Sequence, residues 1–124
     1  MTMRKLIYLG STEKDAGKLP AEVRELFAHA LTVALAGGQH EDAKPLKGFH
    51  GRGVIEVVAD ERNSTFREVY TVKFDEAIYV LHIFQKKSKK NIETPKQDMD
   101  LIKQRLKWAE AIQKEQHGKK KTKK

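Results

Sequence analysis

The chain has 124 residues, of which 25 are Lys or Arg and 17 are Asp or Glu, so its formal net charge is +8. Its length suits one domain, and the absence of cysteine excludes a disulfide scaffold, a thiolate zinc site and a cysteine nucleophile. Its apolar stretches are far shorter than the roughly 20 residues that a membrane helix needs. We also find no signal peptide, and we expect a cytoplasmic protein with no membrane contact.

Residues 4–11 predict a short strand, and the polar residues 12–19 predict a connection. Pro20 suits the first position of a helix, and apolar residues then recur at helical spacing until two glycines end the pattern at 37 and 38. His29 lies opposite the apolar stripe, so we interpret it as a solvent-facing side chain and not as a ligand. Residues 39–53 show no periodicity and predict a long irregular loop, a feature that is often functional.

Three strand signals follow, at residues 54–59, 66–74 and 78–85. The apolar run of the first is interrupted by Glu56. A polar turn separates the first two strands, and Asp75-Glu76 predicts a two-residue turn between the second and the third. These spacings are typical of consecutive antiparallel strands.

The last element is a helix whose start is marked by Thr94 as N-cap, Pro95 at the first position and Gln97 completing a capping box. We expect it to end near Gln116. It carries a broad apolar arc that includes Leu106. The order strand, helix, three strands, helix predicts a small α+β domain with helices packed against an antiparallel sheet.

Positive charge is concentrated at the end of the chain and in two internal segments. Residues 119–124 hold five lysines, and removing those five charges lowers the net charge from +8 to +3. We predict one domain over residues 1–117 and a disordered lysine-rich tail over residues 118–124; the tail is either merely solvated or a weak phosphate binder. The internal groups are Lys86, Lys87, Lys89 and Lys90, and Lys44, Lys47 and Arg52.

The predicted hairpin brings several functional groups to one face of the sheet. Counting back from the two-residue turn, Arg67 faces Phe84 and Val69 faces His82, and Lys86 continues the same alternation. The face then carries a guanidinium, an imidazole, an aromatic ring and an ammonium. A register slip of one residue would separate them.

These groups suit the cleavage of RNA by its own 2′-OH, which needs a base, an acid and a cation that stabilises the charged transition state. Arg67 offers a two-pronged donor for phosphate oxygens, and His82 could act as acid or base. One lysine of the Lys86 and Lys87 pair could also exchange a proton. Phe84, or Phe49 in the loop, could stack on a base. Equally, Arg67 could be an ordinary strand arginine and His82 a half-buried core histidine, so residue types alone favour nucleic-acid binding more than catalysis.

Several segments resemble, in order, the phage-derived, HigB-like branch of the RelE/ParE toxin superfamily. The likeness covers roughly residues 4–112, and its most specific part is the block LHIFQKKS followed by TPK. The segments that carry it are KPLKG at 44–48, VIE at 54–56, FREVY at 66–70, YVLHIFQKKS at 79–88 and TPK at 94–96.

The resemblance implies the toxin of a type II toxin–antitoxin pair, a metal-independent endoribonuclease that cuts mRNA, often in the ribosomal A site. It implies roles for Arg67, Lys86 and Lys87 in catalysis, to which the sheet pattern adds His82. The partners implied are mRNA, the ribosome and a small antitoxin, often with a helix-turn-helix domain; no cofactor is expected. The candidate RNA-binding residues are Lys44, Lys47, Arg52, Phe84, Lys89 and Lys90.

Two other functions stay open. ParE proteins of the same superfamily poison DNA gyrase and are not nucleases, and a plain RNA-binding protein would also be basic. Some RelE enzymes stack the substrate on a tyrosine near the end of the chain, whereas no tyrosine follows Tyr79 here, so Trp108 or Phe84 would have to take that role. The five histidines lack metal-ligand spacing. A basic face that carries a histidine favours the nuclease.

Overall fold

The computed structural model describes residues 4–51, 53–86 and 94–122 of the chain. It is a mixed α+β fold, as the element order predicts. A sheet of five strands has the order β1-β5-β4-β3-β2, and helices pack against it. The elements are β1 (Lys5–Tyr8), α1 (Thr12–Gly17), α2 (Ala21–Leu35), β2 (Ala43–Pro45), β3 (Val54–Glu61), β4 (Ser64–Thr71), β5 (Ala77–Lys86) and α3 (Lys96–Thr122).

The sheet is antiparallel from β2 to β5, and β1 pairs with β5 in parallel. The chain therefore passes from one edge strand to the other through α1 and α2. Helix α2 buries its apolar stripe, which includes Phe27 and Leu31, against one face of the sheet. Helix α3 buries Ile102, Leu106 and Ala109 against the other. These two apolar layers hold the three middle strands between the helices.

The first third of the chain differs from the prediction in two places. Residues 12–17, expected as a connection, form α1, in which Ala16 packs against the apolar layer between α2 and the sheet. Ser11, just before the helix, donates a hydrogen bond to Asp15. With so few apolar residues, α1 has no periodicity to detect. The loop at 39–53 contains the short edge strand β2, and its Pro45 is tolerated because an edge position leaves one side of the strand unpaired. His29 is exposed, as predicted.

The predicted cross-strand pairs are present, although the predicted turn is wrong. Thr71 pairs with Tyr79, so the connection spans residues 72–76. Continued without interruption, that register would place Arg67 opposite Ile83. A β-bulge next to Val69 makes Leu81 an extra residue and shifts the pairing by one, so that Arg67 does face Phe84 and Val69 does face His82.

Helix α3 begins and ends later than predicted. Pro95, not Thr94, precedes the first helical residue, and its carbonyl accepts a hydrogen bond from the N–H of Met99. The capping box is therefore not formed, and Thr94 contacts the sheet instead. The helix continues past Gln116 to Thr122, which takes in residues 118–122 of the predicted tail. None of the helices in the described residues is long and apolar enough to cross a membrane.

Candidate functional site

The predicted functional groups lie on the sheet face that α3 covers. We call five residues the α3-side cluster; they come from β3, β4, β5 and the first turns of α3. Alternation along each strand directs the first four side chains to this face, and α3 supplies the fifth. The members are Glu56, Arg67, His82, Phe84 and Asp98.

We expected Arg67 on an open surface, but it is buried, with 6 % of its surface exposed. Its Nη1 lies 3.1 Å from Glu56 Oε2 and 3.4 Å from Thr94 Oγ1. The start of α3 therefore covers the guanidinium. A buried arginine needs such an anionic partner, since an isolated charge would cost several kcal/mol to desolvate.

Glu56 links two cations across three strands. Its Oε2 contacts Arg67 and its Oε1 lies 3.7 Å from Nζ of Lys44 on β2. The Lys44 side chain is 66 % exposed, so this end of the network reaches solvent, while the Glu56 side chain is only 6 % exposed. Removing one partner of a buried pair costs about 3–5 kcal/mol, because the other charge is left without compensation.

His82 is held by α3 and by its strand neighbour. Its Nε2 lies 2.7 Å from Asp98 Oδ1, and its ring stacks on Phe84 at 4.6 Å with 16° between the planes. Burial lowers the pKa of His82, and the hydrogen bond and charge of Asp98 oppose that effect without reversing it. The other ring nitrogen, Nδ1, is buried and has no hydrogen-bond partner among the described residues. The bond to Asp98 thus orients the ring and leaves Nδ1 as the uncommitted nitrogen.

The register arranges these groups in two rows. Val69 pairs with Glu56 on one side and with His82 on the other, so the carboxylate and the imidazole are two strand spacings apart, about 10 Å between Cα atoms. Arg67 lies in the neighbouring row, between them. The arrangement places a carboxylate and an imidazole on opposite sides of one guanidinium. Those are the three group types that acid–base chemistry on a phosphodiester uses.

The other candidate residues are distributed around this cluster. Lys86 ends β5 opposite Thr65 and is partly buried, and Lys47 is exposed just after β2. Phe49 is 1 % exposed and packs in the core under α3, which disfavours the alternative in which it stacks on a base. Trp108 is 49 % exposed on α3. The predicted residues that lie outside the described part of the chain are Arg52, Lys87, Lys89 and Lys90.

Sequence reasoning missed two members of the cluster, Glu56 and Asp98. Glu56 interrupts an apolar strand, and a charge in such a position is the signal of a buried pair. In the sequence, Asp98 suits the positive end of the helix dipole, and local pattern gives it no other role. Its contact with His82 depends on the position of α3, which local pattern does not predict. Within residues 4–51, 53–86 and 94–122, no group of three or more His, Asp or Glu is placed to hold a metal ion.

A second buried acid lies on the opposite face of the sheet. Glu68 is 1 % exposed, and burial raises its pKa well above the ordinary value for a glutamate. Its Oε1 has no hydrogen-bond partner among the described residues. Burial, with a smaller contribution from the charge of Glu68, raises the pKa of Tyr70 to about 12. Glu68 faces α2, so the sheet separates it from the α3-side cluster.

Comparison with known proteins identifies a family for most of this chain. Residues 14–107, well over half of the chain, match the sequence model of a family described as phage derived protein Gp49-like (DUF891). Searches of curated proteins and of solved structures returned no match.

Proposed function

We propose that this chain, which belongs to the phage-derived Gp49-like family, a RelE/toxin-like family, is the toxin of a type II toxin–antitoxin pair. Its proposed activity is metal-independent endonucleolytic cleavage of mRNA in the cytoplasm, on the ribosome. The family membership supports a toxin-like role. The nuclease activity is our inference from the α3-side cluster, and the finer assignment to the HigB-like branch rests on the sequence resemblance.

The observation that carries the nuclease proposal is the position of Arg67 between Glu56 and His82 on one sheet face. In this proposal the 2′-OH attacks the phosphorus and the bond to the 5′-oxygen breaks. Arg67 stabilises the charge that develops on the phosphate oxygens, His82 exchanges one of the two protons as acid or base, and one lysine of the Lys86 and Lys87 pair exchanges the other. Phe84 packs against the imidazole and a base of the RNA. The remaining cations neutralise the RNA backbone: Lys86 and Lys87 next to the reacting phosphate, and Lys44, Lys47, Arg52, Lys89 and Lys90 around it.

Burial of the cluster requires an opening step. Thr94, just before α3, contacts Arg67, and Asp98 in the first turn of α3 contacts His82. RNA therefore reaches these side chains only after this segment moves. Phosphate oxygens would then take the place of Thr94 Oγ1 at Arg67 and of the Asp98 carboxylate at His82, while Glu56, on β3, stays paired with Arg67. Substrate binding therefore exchanges the contacts from the start of α3 for contacts with the phosphate.

The same burial favours a second candidate function. An arginine held by a glutamate beneath a helix is also what a purely structural ion pair looks like. A chain in which Arg67 and Glu56 only stabilise the sheet would fit a gyrase-poisoning toxin without an active site. The two functions give different results in the assay below.

The test is induction of the chain in a bacterial host, followed by primer extension on cellular mRNA. The purified chain is then assayed on mRNA with and without ribosomes, with and without EDTA, and in a gyrase–DNA trapping assay. We expect cuts on translated messages, unaffected by EDTA and lost in Arg67→Lys but not in Arg24→Lys, an exposed arginine on α2. If the chain cleaves no RNA and traps gyrase on DNA, the nuclease proposal fails and gyrase poisoning takes its place.

A further inference from the structure

Helix α3 carries a straight row of exposed lysines on its outer side. Successive members are separated by seven, four and seven residues, spacings that return to the same side of a helix with 3.6 residues per turn. From first to last the row spans about 27 Å at 1.5 Å per residue. We call it the lysine stripe; its members are Lys96, Lys103, Lys107 and Lys114, all exposed.

Neither packing nor ion pairing accounts for the stripe. The helix packs on the sheet through a different face, that of Ile102 and Leu106. In the described part of the chain, no lysine of the stripe lies within ion-pair distance of a carboxylate. Glu110, one turn from the stripe, is bound to Lys73 instead.

The stripe adds little to the stability of the helix. Lys103 and Lys107 are four residues apart, where like charges destabilise a helix by a few tenths of a kcal/mol. Asp100 and Glu110 lie three or four residues from the stripe lysines and offset that repulsion by similar amounts, although Glu110 is bound to Lys73. Folding therefore does not require the four lysines, and their remaining positive charge suits an anionic partner.

We propose that the lysine stripe binds the phosphate backbone of double-helical RNA, as a second RNA contact outside the α3-side cluster. Lysines are flexible point charges that suit phosphates and not the reading of bases. Double-stranded RNA is recognised largely by shape and backbone contacts, and a row about 27 Å long spans several successive phosphates. An acidic protein fits less well, because protein interfaces have an apolar centre, and the exposed Trp108 lies about a third of a turn around the helix from the line of the stripe.

The proposal depends on the proposed function only for the class of ligand, since binding requires no cleavage.

The test compares two triple variants of the full chain that each lose three positive charges. One is Lys103→Gln/Lys107→Gln/Lys114→Gln in the stripe. The matched control is Lys5→Gln/Lys14→Gln/Lys18→Gln, at exposed lysines of β1, of α1 and of the residue after α1. The lysine-rich end of the chain is the same in both.

Binding to a mixed-sequence RNA duplex of about 20 base pairs, longer than the stripe, is measured by fluorescence anisotropy over a range of salt concentrations. For the stripe variant we expect the slope of log Kd against log salt to fall by about 2–3, close to one per lost phosphate contact, and affinity at low salt to drop at least about tenfold. The control should change the slope by less than about 1. Lys→Arg changes at the same three stripe positions should retain binding, because they keep the charge.

Equal losses in the two triple variants would overturn the proposal, since the effect would then be one of net charge alone. Competition by poly-L-glutamate as effective as by the duplex would also overturn it, in favour of an acidic protein. Circular dichroism melts exclude unfolding; if the triple variant unfolds, single Lys107→Gln and Lys14→Gln variants make the same comparison. If the chain binds the duplex through the stripe but cuts no RNA, the nuclease proposal is refuted and the proposal for the lysine stripe is supported.

Discussion

At the scale of single residues, the candidate functional charges Arg67 and His82 are already matched to protein partners. Arg67 and His82 could be chosen from the sequence because a guanidinium and an imidazole in alternation on paired strands predict one shared face. Their burial could not be predicted, since it depends on where α3 begins and on side chains of Thr94 and Asp98 that local patterns assign to helix capping and the dipole. The shared face of Arg67 and His82 was therefore predictable from the sequence, and their burial was not.

Arg67 is best tested by Arg67→Lys. Lysine keeps a positive charge for Glu56 but loses the two-pronged geometry, so we expect cleavage to fall by up to about 10²–10³-fold, the scale for losing one preorganised donor, with RNA binding much less affected. Arg67→Ala should also destabilise the fold by about 3–5 kcal/mol, because Glu56 is left buried without that partner. Single-turnover rates, binding to a non-cleavable RNA and thermal melts separate these effects.

Lys44→Gln is the control for the Arg67 variants, since Lys44 contacts the other oxygen of Glu56 but is mostly exposed. It should weaken RNA binding and its salt dependence while leaving the single-turnover rate within about tenfold, because exposed charges contribute little to fixed geometry. If Arg67→Lys cleaves as fast as the unmodified chain, Arg67 is structural and its assignment to catalysis fails.

Glu68 gives a prediction about pH and stability. Burial raises its pKa, so the folded chain binds this proton more tightly than the unfolded chain does. The resulting stability is fully present below the pKa of an unfolded glutamate, and it is lost as the pH rises through the higher folded pKa. Glu68→Gln, which cannot ionise, should therefore melt higher than the unmodified chain at pH 8, and the difference should shrink as the pH falls towards 5.

The measurement is the melting temperature of both chains across that pH range. Glu22→Gln, on the exposed face of α2, is the matched control and should leave the pH dependence unchanged. A lower melting temperature for Glu68→Gln at every pH would mean that the buried carboxyl makes contacts that the amide cannot replace.

At the scale of elements, sequence predicted those with a strong period and missed those without one. Helix α2 and strands β3 to β5 have clear apolar patterns and lie close to their predicted positions. The short α1 and β2 contribute few apolar residues, and their formation depends on packing against β5 and pairing with β3. Arg67 pairs with Phe84 as predicted because two differences from the predicted hairpin cancel: the turn is longer, and Leu81 forms a bulge.

The contact of α3 with the sheet is tested by Leu106→Asp. Leu106 is 1 % exposed and belongs to the apolar layer under α3, so the change removes buried apolar surface and places a carboxylate without a partner there. We expect a loss of about 3–5 kcal/mol in the free energy of unfolding. Gln104→Asp, exposed on the same helix, should cost less than about 1 kcal/mol. Similar denaturation midpoints for the two variants would contradict the packing of α3.

At the scale of the whole molecule, the distribution of charge separates two surfaces. The α3-side cluster reaches solvent at Lys44, whereas the lysine stripe lies on the outer side of α3. The net charge of +8 could be counted from the sequence, and helical spacing predicts the stripe lysines opposite the apolar arc of α3, whereas the position of the residues before α3 over Arg67 needed the structure. A partner that covers the first surface can therefore leave the second accessible.

This division predicts how an antitoxin would act. An acidic antitoxin should cover the α3-side cluster, so its binding should weaken with salt and it should block cleavage and single-stranded RNA binding. Binding of an RNA duplex at the lysine stripe should persist in the antitoxin complex.

Lys44→Glu should weaken the binding of the antitoxin and of single-stranded RNA together, because charge reversal turns attraction into repulsion. Lys18→Glu, distant in sequence and exposed, should weaken neither by more than about threefold. Competition anisotropy with labelled single-stranded and duplex RNA measures both. Simultaneous binding of antitoxin and single-stranded RNA at unchanged affinities would show that they do not share the face, and that inhibition must then act through the opening of α3.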